Sequence, residues 1–495
     1  MRKIILIMCL ICALAFLAAC AEDTGSEQTT TAAGDGTGTG DTDGSNGYDE
    51  ETGHVFPDVD FGGAAFVILN NEPIWDFTTA IVPEEQTGEV LNDAKWRRNT
   101  YINERFNIEL EERAIPLGEI NGRIRTAVRA GDQDFDSVFC PGAHDNQSVG
   151  TLAVSGYLVD LMTVPELNLS SPWWNQGALE DARIGSNSSV FFASNDISIH
   201  ALQCPWVIYF NTQMIEDLNF ESPYQLVREG RWNLDTMETY MRAATNLHED
   251  ESFTPFRPAG TAVYGLSTAI PAIGELFRGL DVRYVAKDGN NMPVFAANEP
   301  RFLAAAQRLA DVLSLPGMHT DGGATHYEIV FMNGRALFVY AEFKAATVYR
   351  YSELAFGIVP SPKLDEHQEN FVHNLTQQAP VFIIPVTTPD TRKTGIVMDA
   401  MAYVSQRDVT PVFFDVHMSQ KELRTEESVE MLQIIRDTSI FDIGRIYSWA
   451  SQINIDIYTD IVRGGGQLAS IIERHIDSVN SAIETTIAQL EEVQG

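Results

Sequence analysis

The strongest constraint on the fold is a rhythm in which short apolar runs alternate with stretches of helical spacing. Ala65-Phe66-Val67-Ile68-Leu69 follows a Gly62-Gly63 turn and reads as a buried strand. Phe106 to Glu111 alternates with period two, as a half-exposed strand does. Between them, Ala94, Tyr101, Ile102 and Phe106 recur at helical spacing over Leu91 to Phe106. Ile120, Ile124, Ala127 and Val128 mark an amphipathic helix that stops at Gly131, and Asp136 to Phe139 is another short strand. A β-α-β order of this kind predicts an α/β layer fold with crossover helices.

A second cycle starts at Pro205 to Asn211. Helical patterns follow at Leu234 to Leu247, with Asn233 as N-cap, and at Pro300 to Leu313, with Pro300 in the first turn. Phe356 to Pro360 and Pro380 to Pro385 read as buried strands, and Thr391 to Val404 as a helix packed on them. Ile472, Ile476, Val479, Ile483, Ile487 and Leu490 predict an amphipathic terminal helix with a core-facing stripe. With 495 residues and 44% hydrophobic residues, the chain has material for about two to four domains. Its 33 Lys plus Arg against 69 Asp plus Glu give a net charge of −36. That charge repels phosphate backbones, so nucleic acid is not an expected partner, and it disfavours docking on anionic lipid.

The N-terminus predicts the compartment. In MRKIILIMCLICALAFLAAC, Arg2 and Lys3 precede an apolar run from Ile4 to Phe16, and Leu17-Ala18-Ala19-Cys20 ends it. The run is shorter than the roughly 20 residues that span a bilayer. This ending resembles a bacterial lipobox, which implies a signal peptide over 1–20, cleavage before Cys20 and diacylation of Cys20. Residues 21–55, rich in Gly, Thr, Ser and Asp and without Lys or Arg, are expected to be a disordered tether. The body would be lipid-anchored on the extracytoplasmic face of the cell membrane. Asp41, Asp43 and Ser45 echo a calcium loop only faintly, since Asn46 and Thr52 replace its Gly and Glu. Cys140 and Cys204 either pair or remain as small buried hydrophobes.

Catalytic signatures are missing. The sequence has no Gly-x-x-x-x-Gly-Lys-Ser/Thr loop, no Gly-x-Ser-x-Gly elbow, no His-Glu-x-x-His and, after residue 20, no Cys-x-x-Cys. His319 and His326 flank a Gly-Gly turn and are expected as solvated loop histidines rather than metal ligands. Neither a cofactor nor a metal is expected. With so many acidic residues, a suggestive carboxylate pair carries no information.

Phe331-Met332-Asn333-Gly334-Arg335-Ala336-Leu337-Phe338, followed by Phe356-Gly357-Ile358-Val359-Pro360-Ser361-Pro362, resembles the "F-x-x-G-x-A-x-F … F-G-V-x-P-x-P" passage of extracellular solute-binding proteins of ABC importers, carbohydrate type. Trp206 to Asn211 resembles the family's "L-x-Y-N" strand. Trp232-Asn233-Leu234-Asp235 resembles its "T-W-d-E-l" helix start, here without the usual preceding Pro. Asp58 to Gly63 and Gly88 with Leu91-Asn92-Asp93-Ala94 resemble the start of lipoprotein members from Firmicutes-type bacteria. The resemblance implies a two-lobed periplasmic-binding-protein-like fold (type II), hinge strands and a ligand cleft between the lobes. Crossings are placed near 204–209, 374–380 and 428–438. Lobe one is then 56–205 plus 376–430, and lobe two 206–375 plus 431–495.

The function so implied is non-enzymatic. A monomer would capture a mono- or oligosaccharide and deliver it to a membrane permease. Aromatic rings would stack on sugar C–H faces while charged and amide groups hold the hydroxyls. The expected ligand-binding residues are Trp75, Trp173, Trp174, Asp196, Trp206, Tyr209, Trp232, Tyr340, Glu342 and Trp449. Trp173 and Trp174 share a Pro-led loop that makes it hard to bury both, although one in the core and one over a loop is the plainer alternative. Trp206 and Tyr209 are three apart on a strand, so only one of them faces a cleft. Asp196 follows Ser194-Asn195 at a strand end, Tyr340 and Glu342 share a strand face, and Trp232 also fits as the anchor of a helix start. A peptide- or polyamine-binding protein, a tethered glycoside hydrolase and an adhesion or scaffold lipoprotein remain as alternatives.

Overall fold

The computed structural model describes residues 54–494, except 75–76, 145–146, 246, 248–252, 254–260, 322–325, 350 and 418–425. The lipobox with Cys20, the calcium echo at Asp41 to Ser45, and Trp75 lie outside the described residues.

Two sheets organise the chain. Strands β1 (Ala64–Asn71), β2 (Ile108–Ile115) and β3 (Ser137–Pro141) build the first. Strands β4 (Trp206–Asn211), β5 (Tyr264–Ala269), β6 (Met318–Asp321), β7 (Ala336–Glu342) and β8 (Phe356–Val359) build the second. After β9 (His373–Asn374), β10 (Pro380–Ile383) returns to the first sheet, and β11 (Ser439–Ile440) pairs in parallel with β9. The strand orders are β10-β3-β1-β2 and β6-β5-β7-β4-β8. β1 runs parallel to β2 and β3, while β10 lies antiparallel on β3. In the second sheet β5, β6 and β7 are parallel, and β4 is antiparallel to β7 and β8.

Local chemistry sets the helix ends. The helix Val90–Phe106 begins where the Glu89 carboxylate accepts from the N–H groups of Leu91 and Asn92, and ends at left-handed Asn107. Helix Ile120–Ala130 stops at Gly131, φ 74°. Asn233 caps Leu234–Ala244 by accepting from Thr236 N, and Asp390 caps Thr391–Val404 by accepting from Lys393 N. Lys393 of that helix pairs at 2.8 Å with Asp136, whose other oxygen accepts from Val67 N of β1. The last helix, Leu468–Gln494, packs on both the Val149–Val154 helix and the strand Pro293–Phe295. Gly357 in β8 is needed because a Cβ there would lie 2.3 Å from the Phe210 ring.

Cys140 and Cys204 are buried and unpaired. His319 departs from expectation. It is a buried residue of the edge strand β6, with Nδ1 3.0 Å from Ser267 Oγ of the neighbouring β5, on the face of the strand that turns to the interior. His54 stacks on Tyr403 with centroids 4.5 Å apart, so the ordered body begins before residue 56. Among the described residues no helix is long and apolar enough to cross a membrane.

Candidate functional site

The chain passes between the sheets at Cys204–Trp206, again between β9 and β10, and again around β11. At these crossings the carboxyl ends of β5 and β7 meet the start of β4, the place where open α/β sheets leave a crevice. A cavity of about 270 Å³ lies there. Trp206 and Glu342 line it from directly paired positions of β4 and β7. Pro271, Gly274, Glu275 and Arg278 line it after β5, Thr376, Gln377 and Gln378 from the β9–β10 crossing, and Arg445 from the chain after β11. Asn454, Ile455 and Tyr458 line it from the helix Ser451–Val462. The crossing is fastened to the first sheet's end, since Ala143 N donates to Gln377 O and Gly142 N to Ala379 O.

The walls are charged but balanced. Buried Arg278 donates from Nε to Asp442 (2.6 Å) and from one terminal nitrogen to Glu275 (3.2 Å). Arg445 pairs with Glu275 at 2.9 Å and also contacts Gln377. Asn374 donates to Glu275. Glu342 pairs with Lys344 at 3.3 Å and accepts from Gln378. Burial pushes the Glu342 carboxyl up to about 7, a rise partly offset by the Lys344 charge. Burial also lowers Arg445, with the neighbouring Arg278 charge adding to the effect. Four buried polar atoms on the cavity's residues lack a hydrogen-bond partner: Trp206 Nε1, Arg278 Nη2, Thr376 Oγ1 and Asn454 Oδ1. Such atoms are costly unless something fills the site and bonds to them.

Trp206 rests on Tyr340, ring centroids 5.4 Å apart and planes at 38°. Tyr340 itself is buried beneath, its hydroxyl on Ser361, and so supports the cavity rather than lining it. Tyr209 points to the opposite sheet face, where its hydroxyl donates to Phe343 O and accepts from Ala346 N. It is a core residue, as the strand period requires once Trp206 faces the cavity.

Five further residues expected at the ligand do not line this cavity. Trp173 and Trp174 are both buried and both donate their indole N–H to Asp399 Oδ1, at 3.0 and 2.8 Å. One buried carboxylate on helix Thr391–Val404 therefore makes both indoles interior groups. Trp232 is completely buried and donates to Pro360 O (2.8 Å), anchoring the helix start. Trp449 stacks on Tyr447 at 4.8 Å and donates to Thr486 of the last helix. Asp196 is committed to Arg436 (2.8 Å) and Thr410. Glu275, Arg278, Arg445, Gln377, Gln378, Asn454 and Tyr458 escaped the sequence reading. The one available signal was Gln377-Gln378, two amides inside the crossing expected at 374–380.

Similarity to known proteins lies in the architecture. No family model and no curated protein matches the sequence. The structure of a cyclo/maltodextrin-binding protein complexed with maltotetraose aligns with TM-score 0.56 at 11% identity, over 87% of this chain and 97% of that one. The cyclic alpha-maltosyl-1,6-maltose binding protein of Arthrobacter globiformis aligns at 0.54 and 11%, over 87% and 100%. An open-conformation sugar transporter protein of Rhizobium etli aligns at 0.52 and 12%, over 87% and 99%. The fold is the two-lobed periplasmic-binding-protein fold of type II. In this fold the first sheet is the core of lobe one and the second sheet that of lobe two. The Trp206 cavity lies at the crossings that join them.

Proposed function

We propose that this chain is the extracytoplasmic, substrate-binding component of an ABC importer and captures a carbohydrate at the Trp206 cavity. The observation that carries this reading is the pairing of Trp206, its indole N–H without a partner, with Glu342 directly across the strand pair. A ring face beside charged hydrogen-bonding groups suits a sugar, which offers C–H faces ringed by hydroxyls. The similar structures of maltodextrin-, maltosyl-maltose- and sugar-transport proteins support the same ligand class. The carboxylates of the cavity are each matched by Arg278, Arg445 or Lys344, which disfavours a polyamine.

Under this reading Cys20 is the lipid anchor and residues 21–53 the tether, the protein acts as a monomer, and a separate permease receives the sugar. No step of covalent chemistry falls to this chain. A thermal-shift screen against mono- and oligosaccharides, with product analysis, tests it. Stabilisation without turnover is expected, about 2.7 kcal/mol at a hundredfold excess over Kd. Released product would instead indicate a glycoside hydrolase, with Glu275 and Glu342 as the carboxylates to mutate first. A chain that no saccharide stabilises would overturn the sugar reading.

A further inference from the structure

One contact ties the cavity to the loop that follows β1 in lobe one. Glu342 lines the cavity and pairs with Lys344 two residues on. The Lys344 ammonium lies 3.8 Å from the centroid of the Phe77 ring, at cation–π distance. Phe77 belongs to the loop after β1, is buried, and has its other neighbour in the His200 ring at 4.4 Å. His200 leaves both ring nitrogens without a partner and is held neutral by burial. It therefore contributes a ring and no charge. Beside it, Gln203 accepts from Thr78 N at 2.7 Å, which fixes the same loop to the segment just before the first crossing. Lys344 thus faces a carboxylate of lobe two on one side and an aromatic ring of lobe one on the other.

We infer that Lys344 is a positioning residue that links Glu342 in the ligand cavity to Phe77 of lobe one, so that occupancy of the cavity is read as closure of the lobes. The inference rests on the cavity being the ligand site. A ligand hydroxyl donating to Glu342 competes for the carboxylate that restrains the ammonium. The ammonium is then freer to hold the Phe77 ring, and the loop tightens. The link is electrostatic on one side and cation–π on the other, so it needs the charge of residue 344 and the ring of residue 77.

The test is a double-mutant cycle with Lys344→Met, Phe77→Leu and both together, with Lys344→Arg as the charge-retaining control. In the unliganded protein, amide hydrogen exchange over residues 77–82 is expected to rise about fivefold in each single variant. The double variant is expected to exchange no faster than either single one, while Lys344→Arg restores protection. Additive increases, or a Lys344→Met chain with wild-type exchange, would overturn the link. If Phe77→Leu fails to fold, the comparison of Lys344→Met with Lys344→Arg still decides. With maltotetraose as probe, Lys344→Met is expected to bind several-fold more weakly and to show less compaction on saturation by small-angle scattering. Full compaction in that variant counts against the link. A wild-type chain indifferent to maltotetraose bears on the sugar reading, and the exchange cycle then stands by itself.

Discussion

Trp206 and Glu342 face each other across one antiparallel pair, the first residue of β4 opposite the last residue of β7. On adjacent antiparallel strands, opposed residues share a sheet face. A stacking surface and a charged acceptor are thereby set side by side by backbone register alone. Trp206→Ala is expected to weaken saccharide binding by about 1–3 kcal/mol, and Trp206→Phe, which keeps a ring and loses the N–H, by less. Calorimetry with the best saccharide from the screen checks this, and equal affinities across the three proteins would remove Trp206 from the site.

Trp174 behaves differently. Its indole is spent on Asp399 inside lobe one, so Trp174→Ala is expected to cost about 3–5 kcal/mol of stability and leave the affinity of the folded fraction unchanged. Urea denaturation followed by calorimetry below the transition separates the two effects.

Glu342 makes stability depend on pH. Its folded value of about 7 lies above the ordinary 4.5. Between those values the folded chain binds more protons than the unfolded one, so stability falls as pH rises from about 4.5 to about 7. The group is faced by Lys344, Glu275 and Glu328. Glu342→Gln, neutral throughout, is expected to flatten this interval by about 1–3 kcal/mol. Urea midpoints at intervals from pH 4.5 to 8 provide the measurement, and an unchanged slope would refute the assignment.

Arg278 sits almost wholly buried between Asp442 and Glu275. Removing one partner strands a buried charge, so Asp442→Ala is expected to destabilise by about 3–5 kcal/mol. Part of that loss comes from the Gly444 N–H that Asp442 caps. Chemical denaturation is the readout.

Burial raises the thiol pKa of both Cys140 and Cys204. A thiol reagent is expected to modify neither at an appreciable rate in the folded chain and both on unfolding. Labelling followed against urea should track loss of structure, and rapid labelling in buffer would contradict the burial.

The fold was legible because hydrophobic period and punctuation agree. Pro300 to Leu313 and Thr391 to Val404 read as helices and are helices over those residues, since apolar spacing and capping residues are local properties. The cavity was harder to read. Trp173, Trp174, Trp232 and Trp449 are no different from Trp206 in sequence, and their fate depends on partners far along the chain: Asp399, Pro360 and Thr486. Glu275, just after β5, and Arg445, just after β11, meet although 170 residues separate them in the chain. Only the expected crossing at 374–380 pointed toward that meeting place.

β10 supplies the outer strand of the first sheet, yet it is synthesised after the whole of the second. A ribosome therefore releases every strand of lobe two while β3 still waits for its neighbour. Pairing over so long a separation pays its loop-closure cost late and is slow. During synthesis the later half can finish first, and the earlier half stays open along the β3 edge, a surface that a chaperone or export factor has time to occupy.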